Sequence, residues 1–159
     1  MALTQDIIDL LGAGVAHQVG GCTKDGRPSL CRGLAAELES DGRLVVILSA
    51  ETGFEVINAV RDTGRIALNL TLPENYKSIS LLGRDAVVSH GGATFHDLVQ
   101  DRYQKFRAQL DVHGIPPSYT EAWYLRPDED LVAIRFTPFS ARNQTPGPDA
   151  GSALALTPR

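Results

Sequence analysis

The chain has 159 residues, 43% hydrophobic and 21% charged, the balance of one globular domain and too apolar for a disordered chain. Fifteen Lys and Arg against nineteen Asp and Glu leave a formal charge of −4, and no basic run occurs, so the electrostatic footprint of a nucleic-acid binder is missing. No stretch approaches the roughly 20 apolar residues of a membrane span and no basic and apolar leader opens the chain, so no membrane association and a cytoplasmic protein are expected.

Residues 4–12 read as a short amphipathic helix, with Thr4 as cap, apolar positions at Ile7, Ile8, Leu10 and Leu11, and Gly12 as stop. Residues 15–22 and 28–38 form two strands joined by the Asp25-Gly26 turn. A second such turn, Asp41-Gly42, leads into 44–49, a continuous apolar run of the kind buried on both faces. The pattern then becomes helical from a cap at Thr52 to a stop at Gly64. Strands follow at 65–71 and 76–88 around the loop Leu72-Pro73-Glu74-Asn75, the second placing Tyr76, Ser78 and Ser80 on one face by strict alternation. Thr94 caps a longer helix to about Leu110 whose apolar stripe reads as packing. Residues 118–125 suit one or two helical turns, 126–130 lead into a last strand at 131–137, and the chain beyond Pro138 is rich in Pro, Gly and Ala. A domain over 1–142 and an extended arm or tail over 143–159 are expected. Strands without helices between them at the start favour a mainly β, α+β fold, a small antiparallel barrel with helices outside it, over a doubly wound sheet.

The usual catalytic and metal motifs are absent. There is no Gly-x-Ser-x-Gly elbow, and the four histidines lack the spacing of a zinc site, so no metal is expected. Cys22 and Cys31 flank a turn without any Cys-x-x-Cys, which fits two small buried thiols. Arg32 lies inside a strand, where it either reaches water or meets an anion, and Lys77 carries the same ambiguity.

Four stretches together resemble one family: Gly26-Arg-Pro-Ser-Leu-Cys-Arg-Gly33, the strand, helix and strand over 45–70, Tyr76-Lys-Ser-Ile-Ser-Leu-Leu-Gly-Arg84, and the tail from Phe136 with Asn143-Gln-Thr-Pro-Gly-Pro-Asp-Ala-Gly151. This pattern, spanning roughly 15–151, is similar to the pyridoxamine 5′-phosphate oxidase-like proteins, the FMN-binding split barrels, and its Gln-Thr-Pro-Gly-Pro-x-Ala-Gly tail to one branch of them. The resemblance implies a six-stranded antiparallel split β-barrel with peripheral helices, a homodimer, and FMN in the groove between subunits. It further implies flavin-dependent oxidoreductase activity.

By the same resemblance Arg32 matches the strand arginine near the flavin phosphate. Ser49 and Ala50 match the strand end that meets the isoalloxazine, and helix amides near Thr52 can take part of the phosphate charge. Lys77 and Ser78 match an Arg-Gln pair on the fifth strand, and Ser80 continues that face. The chain departs from the pattern where Gly53-Phe54-Glu55 replaces a Ser/Thr-Arg-Lys phosphate clamp and where Ala36-Glu37 replaces a second Lys. The oxidase's own Arg-x-His is missing, so pyridoxamine phosphate oxidation is not expected. The alternative implied by these departures is a non-enzymatic dimeric module that binds another planar anion, such as haem, or none.

Overall fold

The computed structural model describes residues 3–124 and 130–156, apart from the side chains of 122–124. Its elements, in order, are α1 (Gln5–Gly12), β1 (Ala16–Cys22), β2 (Pro28–Gly33), β3 (Ala35–Leu38), β4 (Leu44–Ser49), α2 (Phe54–Thr63) and β5 (Ile66–Thr71). They continue with β6 (Ser78–Gly83), β7 (Val87–His90), α3 (Thr94–Asp111), α4 (Pro117–Tyr124), β8 (Leu131–Phe136), β9 (Ser140–Asn143) and β10 (Ala153–Leu154). The expected lead-in at 126–129 and the last residues of the arm, 157–159, lie outside the described residues.

The strands form two antiparallel sheets, one in the order β10-β9-β6-β5-β1-β2 and one in the order β3-β4-β8-β7. Two strands expected to be continuous are instead divided between the sheets. The 28–38 strand bends at Leu34, whose N–H donates to Ile47 O at 2.8 Å and so carries the chain from one sheet to the other. The 76–88 strand breaks after Gly83, leaving β6 in the larger sheet and β7 in the smaller. These two crossings join the sheets into a split barrel. Six strands make it up, with β2 and β3 counted as one bent strand beside β1, β4, β5, β6 and β8; β7, β9 and β10 extend its edges.

Hydrophobic alternation sets the interior. Val19, Leu68, Leu70, Ile79 and Leu81 point inward from the larger sheet and meet Val46, Ile134 and Phe136 from the smaller. α1 and α2 close this core with Ile7, Leu10, Leu11, Val56, Ile57 and Val60. Each such side chain contributes about 1.5–3 kcal/mol by leaving water. α3 covers the other face of the smaller sheet, where Val99, Tyr103 and Phe106 pack on Ala35, Val45, Ile47 and Ala133. β1 enters beneath α3 at Gly14, where a Cβ would stand 2.1 Å from Lys105 O, so only glycine lets the backbones cross.

Three local expectations are corrected. Gly53, and not Thr52, holds the N-cap position of α2, and Ala93 holds that of α3, with Thr94 already inside the helix. Thr4 does cap α1, but through its backbone carbonyl, which accepts from Ile7 and Ile8 N–H at 3.1 Å; its hydroxyl makes no cap bond. Tyr76 does not share the face of Ser78 and Ser80: with φ 59 it lies outside β6, and the period-two rule holds only for extended backbone.

Candidate functional site

The larger sheet has a buried inner face and an outer face that the helices leave largely open. Strand register places Arg32, Gln18, Asn69, Ser80 and Arg142 side by side on the outer face, one from each of β2, β1, β5, β6 and β9. The next row is Leu30, Gly20, Ala67, Leu82 and Ser140. A polar row thus runs beside a row in which two small residues, Gly20 and Ala67, lie between Leu30 and Leu82.

One side-chain hydrogen bond joins neighbours within the polar row, and others link it to Thr71 and Ser78 beside it. The Asn69 side-chain amide lies 3.3 Å from both Gln18 Oε1 and Thr71 Oγ1. Ser78 Oγ is 3.0 Å from Thr71 Oγ1 and 2.9 Å from Tyr76 O, while its N–H donates to Thr145 Oγ1 at 3.0 Å. The Ser78 hydroxyl is therefore engaged inside the protein, and the residue is buried. Ser80 is half-buried and stands in the open row.

The second row floors a trough of about 300 Å³ lined by Gly20, Ala67, Leu82, Arg65, Arg84 and Phe139 among others. Its lining includes two arginines and no acid, in a chain of net charge −4. The Arg84 guanidinium carbon lies 4.3 Å from the centre of the Phe139 ring, a cation–π contact that orients the charge. Arg65 and Arg84 bound the central strand pair in the sequence, yet nothing there assigned them a role. What the sequence lacked was the register that brings them to Phe139.

The seven residues singled out from the sequence fall in three places. Arg32, Ser78 and Ser80 share the outer face, with Arg32 and Ser80 three strands and so about 14 Å apart. Ser49, Ala50 and Thr52 form the turn from β4 into α2, where Ser49 Oγ accepts from Thr52 N–H at 3.3 Å and Ala50 N–H donates to Asp130 O at 2.8 Å. α2 packs on the inner side of β1, with Ala59 and Val56 O against Gly21. Lys77 opens instead onto a cleft at the barrel mouth, beside the inward-facing Ile79.

Beneath this face, His17 is 2% exposed and neither ring nitrogen has a partner among the described residues. Burial, then the charges of Arg102 and Arg32, push its imidazole down to about 3, so it is neutral at physiological pH. Burial likewise pushes the Cys31 thiol up to about 11, which makes it a poor nucleophile, and both cysteines are free. No group of three or more His, Cys, Asp or Glu among the described residues suits a metal ion, and no described helix is long and apolar enough to cross a membrane.

Among solved structures, the chain is similar to HupZ of Group A Streptococcus, at 17% identity and TM-score 0.55 over 94% of this chain and 99% of that one. A pyridoxamine 5′-phosphate oxidase-related, FMN-binding protein from Nostoc punctiforme gives 14% identity and TM-score 0.52 over 98% of each chain. This is the pyridoxamine 5′-phosphate oxidase-like split-barrel fold. An F420 reductase shares the split barrel at 16% identity and TM-score 0.56, over 87% of this chain and 98% of that one. No model of a protein family matches the sequence, and no curated protein aligns with it. At these identities the likeness is one of fold.

Proposed function

We propose that this split barrel binds FMN on the outer face of its larger sheet and acts as a flavin-dependent oxidoreductase. The observation that carries the reading is the trough: a floor of small residues, two arginines, no acid in its lining, and a row of uncharged polar side chains beside it. A flat aromatic ring system needs a floor without projecting side chains, and Gly20 and Ala67 provide one. A phosphate dianion needs guanidinium donors, and Arg65, Arg84 and Arg32 are placed on this face or at its edge. Gln18, Asn69 and Ser80 present amide and hydroxyl groups suited to the carbonyl and nitrogen edge of the ring. These features fit FMN without the missing clamp at Phe54-Glu55. When bound, FMN supplies the redox chemistry, and the protein's part is to hold it, orient it and keep water from it.

A trough open on one side does not exclude water. Leu30, on the same face, is 72% exposed, and Phe139 at the trough is 39% exposed. A second copy of the chain laid over this face would bury both and roof the trough, so the working unit in this reading is a homodimer. Support for the cofactor comes from the fold, which an FMN-binding protein and an F420 reductase also use. The test is a titration of FMN fluorescence with purified protein. Saturable quenching that weakens about tenfold or more in Arg84→Gln and Arg32→Gln supports the reading, since a charge-assisted hydrogen bond contributes about 1.5–3 kcal/mol. Quenching equal in the wild type and both variants overturns the placement.

A further inference from the structure

The polar row of the outer face is joined to the turn before β6 by a chain of hydrogen bonds whose direction is fixed at one end. The Tyr76 carbonyl can only accept, so the single proton of the Ser78 hydroxyl, 2.9 Å away, goes to it. Ser78 Oγ then has only lone pairs to offer Thr71 Oγ1 at 3.0 Å, and the Thr71 hydroxyl is the donor of that pair. With its proton so placed, Thr71 Oγ1 accepts from Asn69 Nδ2 at 3.3 Å, and the second hydrogen of that nitrogen is donated to Gln18 Oε1 at 3.3 Å.

This direction settles which way both amides face. An Asn69 turned the other way would set its Oδ1 against Thr71, which has no proton left to give, and against Gln18 Oε1. Each amide therefore keeps one group without a partner among the described residues: Asn69 Oδ1, which can only accept, and Gln18 Nε2, which can only donate. The Ser80 hydroxyl, also without a partner among the described residues, stands on the other side of Asn69. Gln18, Asn69 and Ser80 are direct cross-strand neighbours on β1, β5 and β6, each about 4.8 Å from the next at the backbone. The order across the face is donor, acceptor, hydroxyl.

We infer that this row reads the edge of a cyclic imide: Gln18 Nε2 donates to one ring carbonyl, Asn69 Oδ1 accepts from the ring N–H, and the Ser80 hydroxyl donates to the second carbonyl. The inference rests on the FMN reading of the outer face and adds which edge of the ring system meets the protein, since the pyrimidine ring of an isoalloxazine carries that sequence of carbonyl, N–H and carbonyl. The rest of the ring then lies toward Gly20 and Ala67 in the neighbouring row. A ring edge whose central atom is an unprotonated nitrogen sets acceptor against acceptor at Asn69 and is disfavoured, because the mismatch leaves both groups unpaired. Thr71 and Ser78 act through Asn69 as positioning residues, which gives the buried Ser78 a part in the site.

Fluorescence titrations of the full chain with FMN and with 3-methyl-FMN, in which a methyl group replaces the imide hydrogen, test this. The wild type is expected to bind FMN about tenfold or more tightly than the methylated compound, a comparison that depends on no variant folding. Asn69→Leu should weaken FMN about tenfold and bring the two flavins within about threefold of each other. Thr71→Val should lose most of the preference and Thr71→Ser keep it, a difference that a merely structural role for Thr71 would not produce. Equal affinity of the wild type for the two flavins overturns the inference, and leaves the FMN reading in place if Arg84→Gln still weakens both. A preference for FMN that persists in Asn69→Leu puts the imide edge elsewhere and overturns it as well. No quenching of either flavin removes the FMN reading and the inference with it.

Discussion

Gly33 and His17 oppose each other across the β1–β2 ladder with no space for a side chain between them: a Cβ on Gly33 would stand 2.8 Å from the Cβ of His17 and 3.2 Å from Val19 Cγ2. Gly33→Ala is therefore expected to cost about 1–3 kcal/mol through overpacking. Urea unfolding reads it as a lower midpoint at an unchanged slope. An unchanged midpoint would mean that His17 is free to move aside.

The same histidine makes stability depend on pH. Its ordinary value of 6.5 holds in the unfolded chain, and in the fold burial brings it to about 3. Above pH 6.5 the imidazole is neutral in both states and its contribution is complete. As pH falls below 6.5 only the unfolded chain takes up the proton, so stability is lost at about 1.4 kcal/mol per pH unit until about pH 3. From pH 6.5 to pH 5 the loss is about 2 kcal/mol. His17→Leu should remove that share of the pH dependence, and unfolding free energies of the two proteins at pH 7 and pH 5 check it. An identical pH dependence in the variant would contradict the assignment.

Ser78→Ala removes a hydroxyl bonded to Thr71 and to the Tyr76 carbonyl at the base of the hairpin. A loss of about 0.5–1.5 kcal/mol is expected from the two part-buried hydrogen bonds removed. Thermal unfolding measures it, and a neutral effect would show that Thr71 and the hairpin find other partners.

The cover proposed for the outer face, a second copy of the chain, makes Leu30→Lys a direct probe, because a buried unpaired charge at a dimer interface is costly. Light scattering of the wild type should give twice 17.1 kDa and of the variant 17.1 kDa. A wild-type monomer removes the roof from the trough.

Much of the fold was legible because its strongest signals are local. Gly26 and Gly42 sit at φ 87 and φ 82, the left-handed conformation that the two Asp-Gly turns demand, and the unbroken apolar run of β4 is buried at every position. What local patterns did not carry were the crossings between sheets. The 76–88 stretch keeps its strand character on both sides of Gly83, so periodicity gave no sign that β6 and β7 belong to different sheets. Strict alternation gives Tyr76 a face that its φ of 59 denies it. The trough was illegible for a related reason: Arg65, Arg84 and Phe139 come together only through the register of β5, β6 and the approach to β9. Likewise Lys77 and Ser78 are neighbours in sequence, yet they serve opposite sides of the sheet.

Whether the outer face holds a flavin is decided by the absorption spectrum of the protein loaded with FMN and freed of excess by gel filtration. The expected result is a retained flavin spectrum in the visible and near-ultraviolet, at one FMN per chain, diminished in Arg84→Gln. A colourless protein after filtration, or a Soret band from co-purified haem in place of flavin, would contradict it.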